Sequence, residues 1–352
     1  MIAFKDGLTI GGDSPIRVNC NIGCNKIEDI QSEISKIEFI QSCNELPDMM
    51  MDLSLIELEE PLYNYIKNNL GLPFGVVLSY HRFTKSKGYQ WEDIRDAFLQ
   101  LCYDGVSFVT IHFTADLDLF SRANQIRKIP VTSRGGGMVL YDSRINNRTQ
   151  NIFRENIDEI ANIALKHNVV ISLGTTFRPG TILDACDSVH IEETLRQLSI
   201  CRLLQSKGVK VMVENIGHIT LDKIATHSKL LSKFNAPIMP LGPLPTDAAI
   251  NEDHIANAIG ATFAAYIGCT HIINCVTRYE HSKSAITQDA IIEAIRAAKV
   301  AAHIADLSRN INKAYLYDAF ITNNRIKEHS CLTDSNNCTR CSTDCPLKLT
   351  SI

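Results

Sequence analysis

The chain has 352 residues, with 35 Lys plus Arg against 39 Asp plus Glu and a formal net charge of −4. That length can bury one large core, either a single α/β barrel or two smaller domains. The weakly acidic balance gives no electrostatic case for nucleic acid or an anionic membrane as the main partner. The opening MIAFKDGLTIGG lacks the basic end and apolar core of a secretion signal, so a cytoplasmic location is expected.

In chain order, the β-branched, apolar runs are RVNCNIG from Arg17, DMMMDLS from Asp48, FGVVLS from Phe74 and SFVTIH from Ser107. They continue with IPVTSRGG from Ile129, VVISLG from Val169, KVMVEN from Lys210, APIMPLG from Ala236 and THIINCV from Thr270. Helical stripes lie between them: Trp91, Ile94, Phe98 and Leu101 recur at three- and four-residue steps, as do Phe153, Ile157, Ile160 and Ala164. Near-continuous apolar strands alternating with amphipathic helices imply a parallel sheet covered by helices. The expected fold is therefore α/β, a (β/α)8 TIM-type barrel, with one strand candidate more than closure needs. IPVTSRGG is the run least like a barrel strand. A doubly wound sheet is the rival, but no phosphate-binding glycine loop follows the first strand. The least polar stretch, Ala256 to Val276, is interrupted by Gly, Thr, His and Asn and reads as buried helix plus strand. Residues 1–310 are expected to form the barrel with its substrate and metal sites, and residues 311–352 a short C-terminal tail containing cysteines.

In such a barrel the active site lies at the C-terminal ends of the strands. Here those ends carry Asn21, Asp52 after Met51, Tyr80, His112, Ser133 with Arg134, Arg178, Glu214 with His218, and His281. Any one of these could simply cap the next helix, but together they describe a mouth built for a polar ligand with many contacts. His218 and His281 follow separate strands, as two imidazoles on a divalent metal would, with positions left open for water or ligand. SRGGG, from Ser133 to Gly137, offers an arginine and unobstructed backbone N–H groups to a phosphate or carboxylate.

Twelve cysteines without a secretion signal do not make a disulfide framework. Eight (Cys20, Cys24, Cys43, Cys102, Cys186, Cys201, Cys269, Cys275) are scattered in mostly apolar segments and read as small buried hydrophobes. Cys331, Cys338, Cys341 and Cys345 instead crowd a polar tail. CTRCSTDC places the last three at C-x2-C-x3-C. Three thiolates on a four-iron cluster leave one iron open for S-adenosylmethionine. Adding Cys331 would suit a closed zinc site.

The segments VNCNIG, MMMDLS, FGVVLSY, FVTIH, SRGG, SLGTTFRPG, VMVENIGH, LGPLPTDAAINEDH, AIGATFAAYIG, VTRYEH and AAHIADL, in this order, resemble the phosphomethylpyrimidine synthases of thiamine biosynthesis (ThiC) over residues 16–308. That resemblance implies a (β/α)8 barrel and a radical S-adenosylmethionine carbon–carbon lyase. It would rearrange 5-aminoimidazole ribonucleotide, or a close analogue, to hydroxymethylpyrimidine phosphate. It makes Asn21, Met51, Tyr80, His112, Ser133, Arg134, Gly135, Arg178 and Glu214 substrate contacts, with Glu214 and Cys341 catalytic. His218 and His281 would hold a divalent metal, zinc or iron, and Cys338, Cys341 and Cys345 a 4Fe-4S cluster. A homodimer and an electron donor such as flavodoxin or ferredoxin are implied as partners.

The chain also departs from the family. The family reads SLGDGLRPG, so Thr175 replaces a substrate-binding Asp, and Met239 replaces a Tyr. The cysteine motif is C-x2-C-x3-C where the family has C-x2-C-x4-C. The family's large N-terminal domain has no counterpart here, and the segment between barrel and cysteines is shortened. These differences are those of a short, divergent paralogue. Synthesis of 5-hydroxybenzimidazole, the cobalamin lower ligand, from the same ribonucleotide is the alternative activity. Two readings come from other classes: a non-redox, metal-dependent barrel lyase or hydrolase with a zinc tail, and a non-catalytic nucleotide-binding regulator.

Overall fold

A computed structural model describes residues 1–283, 285–327, 331 and 340–350. The chain divides into two compact units, residues 1–305 and 306–352.

The first unit opens with a small antiparallel hairpin of β1 (Ile2–Ala3) and β2 (Thr9–Ile10). Six parallel strands follow: β3 (Arg17–Ile22), β4 (Met49–Asp52), β5 (Phe74–Val77), β6 (Phe108–Ile111), β7 (Val170–Leu173) and β8 (Val211–Val213). A short pair, β9 (Ile216–His218) and β10 (Leu241–Leu244), precedes β11 (Ile272–Asn274). The large sheet runs β11-β3-β4-β5-β6-β7-β8.

Closure comes from a single residue. Ile238 bridges Val213 in parallel register, with Val213 N donating to Pro237 O at 2.9 Å and Met239 N to Val213 O at 2.8 Å. On its other side, Ile238 O accepts from His271 N at 2.8 Å and Ile272 N at 3.2 Å. Eight strand positions thus form a closed TIM-type barrel. The expected strand APIMPLG shrinks to that one bridge, and its later residues pair with β9 instead.

Nine strand candidates become eight because IPVTSRGG is not a strand. The Asp184 carboxylate accepts from Lys128 N at 3.0 Å and Ile129 N at 2.9 Å, so a side chain takes the backbone donors a ladder would have used. The segment then runs into a helix at Arg134.

The helices over the first unit are α1 (Ile30–Ser42), α2 (Leu62–Tyr65), α3 (Trp91–Asp104), α4 (Leu117–Ile126), α5 (Arg134–Ile145), α6 (Ile152–Glu155), α7 (Ile157–His167), α8 (Ser188–Ser206), α9 (Leu221–Leu231) and α10 (Asp253–Tyr266). α11 (Gln288–Ser308) follows β11. In α3 the stripe Ile94, Phe98 and Leu101 is buried as its spacing requires. The second stripe is broken: Phe153 lies in α6 and Ile157 in α7, with Asn156 between them.

Two apolar layers result. Outside the strands, one large cluster joins sheet and helices. Inside, Met49, Met51, Val77, Phe108, Val170, Met212 and Met239 pack together with Phe4 and Ile10 of the hairpin. Phe4 stacks on Phe108 with ring centroids 5.4 Å apart. The hairpin is tied to the strand starts, Lys210 Nζ donating to Ala3 O at 2.8 Å and Ser107 Oγ to Asp6 at 2.7 Å. It therefore plugs the N-terminal end and leaves polar residues to the other end. In the second unit, α12 (Asn312–Lys327) precedes a turn at Ser342–Asp344 and the short α13 (Pro346–Leu349). Among the described residues, no helix is long and apolar enough to cross a membrane.

The inner layer depends on Gly75, because a Cβ there would stand 2.2 Å from the Phe108 ring. Gly75→Ala is expected to destabilise by about 1–3 kcal/mol, measured by urea unfolding, and Phe108→Leu in the same chain should recover part of the loss.

Candidate active site at the barrel mouth

The strand ends enclose a cavity of about 270 Å³. Asn21, Met51, Tyr80, His112, Ser133, Arg134, Arg178, Glu214 and Met239 all line it. An adjoining cavity of about 550 Å³ shares Asn21, Arg134, Asn274 and Glu280 with it.

Glu214 follows β8 and is almost fully buried. Thr110, from β6 across the barrel, donates to its carboxylate at 2.8 Å. Burial raises the Glu214 pKa, against the Thr110 hydrogen bond and the positive charge of Arg178. Arg178 is anchored by donating to Thr175 O at 3.0 Å. Burial lowers its pKa, and Glu214 is the largest opposing influence. A carboxylate and a guanidinium thus face the same small space, with burial disfavouring the charge on each.

SRGGG forms the start of α5. Ser133 is the N-cap, its Oγ accepting from Gly136 N at 3.1 Å and standing 2.9 Å from His112 Nε2. Gly135 lies behind the lining: a Cβ there would meet His112 Cε1 at 2.5 Å and Ser79 Oγ at 2.6 Å. Only glycine lets the helix begin this close to the histidine. Arg134 donates to Asn25 at 2.9 Å, and its guanidinium lies 5.9 Å from the Tyr80 ring centroid. Burial raises the Tyr80 pKa. His112 is pushed down to about 3 by burial and, second, by Arg178, so its imidazole is neutral near pH 7.

Thr175 does not reach the cavity lining. It is fully buried, and its Oγ1 donates to Glu214 O at 2.6 Å and accepts from Gln197 Nε2 at 3.1 Å. Met239 does line the cavity and supplies apolar wall.

The two mouth histidines stand together, with ring centroids 4.8 Å apart and planes at 73°. His218 follows a kink after Asn215, where Ile216 has φ 65 and Gly217 φ 113. Asp247 lies 2.7 Å from His218 Nδ1 and Asp253 2.8 Å from His281 Nδ1. Asp247 is itself fixed by Thr181 Oγ1 at 2.6 Å and Ile182 N at 3.0 Å. Carboxylates on both Nδ1 atoms leave the Nε2 lone pairs available, the orientation found in metal-ligating histidines. The donor set fits a divalent ion.

Reasoning from sequence missed Thr110, Asn274 and Glu280, which also line the cavity, and the orienting pair Asp247 and Asp253. Asn274 had a readable signal, a polar residue ending an apolar strand, the same one that marks Asn21. The aspartates had none, because their role exists only through contacts 28 and 29 residues away in the chain. In the second unit, Cys331 and Cys341 are exposed and Cys345 is buried, all as free thiols. Cys338 lies outside the described residues.

A closed parallel barrel with a polar, charge-bearing mouth defines the fold and the site of a barrel enzyme. The model of the Radical SAM ThiC family matches residues 4–331, and the chain belongs to that family. Membership implies S-adenosylmethionine and an iron–sulfur cluster. The phosphomethylpyrimidine synthase of Sulfurisphaera tokodaii is 34% identical over 329 residues, covering 90% of this chain and 75% of that one. The enzyme of the same name from Thermotoga petrophila is 30% identical over 318 residues, covering 88% and 74%. Among solved structures, a Coxiella burnetii dihydropteroate synthase in complex with pteroic acid is 11% identical, with a TM-score of 0.48, covering 87% of this chain and 99% of that one.

A histidine kept neutral by burial must take up a proton on unfolding in acid. The unfolded chain then binds more protons, so the contribution of His112 is fully present above pH 6.5 and is lost as pH falls towards 3. Relative to His112→Asn, the parent is expected to lose up to about 1.4 kcal/mol per pH unit in that window. Urea unfolding of both proteins at pH 7 and pH 5 measures it.

Proposed function

We propose that this chain makes hydroxymethylpyrimidine phosphate from 5-aminoimidazole ribonucleotide by a radical rearrangement, a reading supported by its radical SAM family and by the product that its relatives' name gives. The observation that carries the reading is the mouth itself, where a helix N-terminus, two arginines and a buried carboxylate surround one small cavity, and where the lining residue Glu280 directly precedes His281 of the oriented histidine pair.

The phosphate of the ribonucleotide is assigned to the start of α5 with Arg134, where the helix dipole and unobstructed N–H groups favour an anion. Glu214 then accepts from ribose hydroxyls or the amine, and its raised pKa suits it to holding or passing a proton. Arg178 balances that charge. His112 stays neutral and polar beside Ser133, and Asn21 and Tyr80 complete the grip. Met239 gives an apolar surface where the family has a phenol. Thr175, tied into the wall, stands where the family has a carboxylate, so the grip on the substrate is redistributed among the remaining groups.

When bound, the cluster and S-adenosylmethionine supply the 5′-deoxyadenosyl radical that abstracts hydrogen. Cys338, Cys341 and Cys345 are assigned as cluster ligands, and the adjoining 550 Å³ cavity has room for the adenosyl cosubstrate. His218 and His281 would hold a zinc- or iron-type ion, whose Lewis acidity orients an anionic fragment. A homodimer in which each tail serves its partner's barrel, reduction by a flavodoxin- or ferredoxin-like donor, and a cytoplasmic location complete the proposal.

The deciding experiment incubates anaerobically reconstituted protein with S-adenosylmethionine, a strong reductant and aminoimidazole ribonucleotide, and follows products by mass spectrometry. Ribonucleotide-dependent 5′-deoxyadenosine together with the pyrimidine phosphate mass is expected. The hydroxybenzimidazole mass, or no cleavage with an intact cluster, would overturn the proposed reaction. Cys341→Ala should abolish 5′-deoxyadenosine formation, and Glu214→Gln should lower turnover by ~10²-fold or more.

A further inference from the structure

On the outer layer of the barrel, the loop before α8 and the helices α8 and α9 bring a thiol and two imidazoles together. One ligand atom each from Cys186, His190 and His227 lie within 4.8 Å of one another. Both histidines are buried and Cys186 is half-buried. The two rings stack with centroids 4.1 Å apart.

Asn215 sets the tautomer of both rings. Its Oδ1 lies 3.3 Å from His190 Nε2 and 3.0 Å from His227 Nε2. The carboxamide cannot be reversed, because Ile216 N donates to Oδ1 at 2.7 Å while Nδ2 donates to Gln197 Oε1 at 2.9 Å and Thr194 Oγ1 at 3.2 Å. An oxygen only accepts, so both Nε2 atoms carry the protons and both Nδ1 atoms carry lone pairs. His190 Nδ1 receives only a long 3.3 Å contact from Cys186 N. Among the described residues His227 makes its hydrogen bond through Nε2, and its Nδ1 keeps some contact with solvent.

Cys186 is held in place by an unusual backbone. Its φ is 62, in the left-handed region that a Cys rarely occupies. Hydrogen-bonded packing accounts for the Nε2 side of both rings. It leaves two Nδ1 lone pairs turned from the shared acceptor, on rings grouped with the Cys186 thiol.

We propose that Cys186, His190 and His227 bind a divalent cation of the zinc class through one thiolate and two Nδ1 atoms, with the fourth position open to solvent. Thiolate and imidazole are the ligands such ions prefer, and binding releases the thiol proton to solvent. Bonds of about 2.0–2.3 Å require the donors to close in from the 4.8 Å limit, an adjustment that unstacks the two rings and displaces the 3.3 Å contact from Cys186 N to His190 Nδ1 and the 3.8 Å contact from Cys186 Sγ to Lys223 O. The Asn215 carboxamide plays the orienting part that carboxylates and carbonyls play behind metal-bound histidines. Because Asn215 directly follows Glu214 and precedes His218 by three residues, a metal here would stiffen the segment carrying both. The site is separate from the mouth pair and from the tail cysteines.

The test uses the full chain, chelator-treated and anaerobic, carrying His218→Ala, His281→Ala, Cys338→Ser, Cys341→Ser and Cys345→Ser so that the other assigned metal sites are gone. Titration with Co²⁺ should show one bound ion per chain, with thiolate-to-cobalt charge transfer and the intense visible bands of four-coordinate cobalt. Adding Cys186→Ser should abolish the charge-transfer absorption, and His227→Gln should weaken binding by about tenfold or more. Cys186→Ser keeps size and backbone, so it decides the outcome should His227→Gln fail to fold, with circular dichroism confirming that it is native. No cobalt bound with a thiolate signature, or an unchanged spectrum in Cys186→Ser, would overturn the proposal.

Discussion

The ends of β7 and β8 are held together by two buried amides, Gln197 and Asn215, and the mouth depends on them. Gln197 Nε2 lies 3.1 Å from Leu173 O, 3.3 Å from Gly174 O and 3.0 Å from Glu214 O, gathering the carbonyls where the two strands stop, two of which also accept from Glu214 N and Thr175 Oγ1. Asn215 returns the contact by donating to Gln197 Oε1. An unmade hydrogen bond in this buried place would cost about 1–3 kcal/mol, so the network is closed rather than optional. Its consequence is directional: it fixes where Glu214 leaves β8 and where the chain kinks to present His218.

From that anchor the barrel separates two environments. The hairpin plug and the methionine-lined interior keep the N-terminal end dry and apolar. The other end collects Glu214, Arg178 and His112 in a small, largely desolvated space, with Arg134 exposed at its edge. Glu193 supports it from behind, accepting from Thr176 N and Phe177 N at 2.7 Å each and from Thr114 Oγ1 at 2.7 Å, so the turn that delivers Arg178 is itself clamped. Radical chemistry needs the substrate held still, and these buried hydrogen bonds fix the groups of the mouth that would hold it.

The departures from the family acquire physical meaning at this level. Thr175 is a wall residue, spanning Glu214 O and Gln197, and a longer carboxylate at that place would have to find a different outlet. Met239 lines the cavity without a polar atom to offer. In the proposed function, substrate recognition would then lean on Arg178, Arg134, Tyr80 and the start of α5.

Much of the fold could be read from residue order. Apolar runs at Met49, Phe74, Phe108 and Val170 are strands because they are buried on both faces, and the stripe of α3 packs as its spacing requires. Strand-end polarity marked most of the polar part of the cavity lining for the same reason, since a barrel strand has only one end facing a site. What the chain order did not decide were features made by distant groups. Asp184 took the backbone donors of Lys128 and Ile129 and turned an apparent strand into a loop. A single bridge at Ile238 closed the barrel. Asp247 and Asp253 found the two histidines, and Asn215 dictated the tautomers of His190 and His227. Local pattern settles which face of an element is buried, because burial is periodic along the chain. The partner of a carboxylate, an amide or an imidazole is settled only when folding brings together groups that sequence separates.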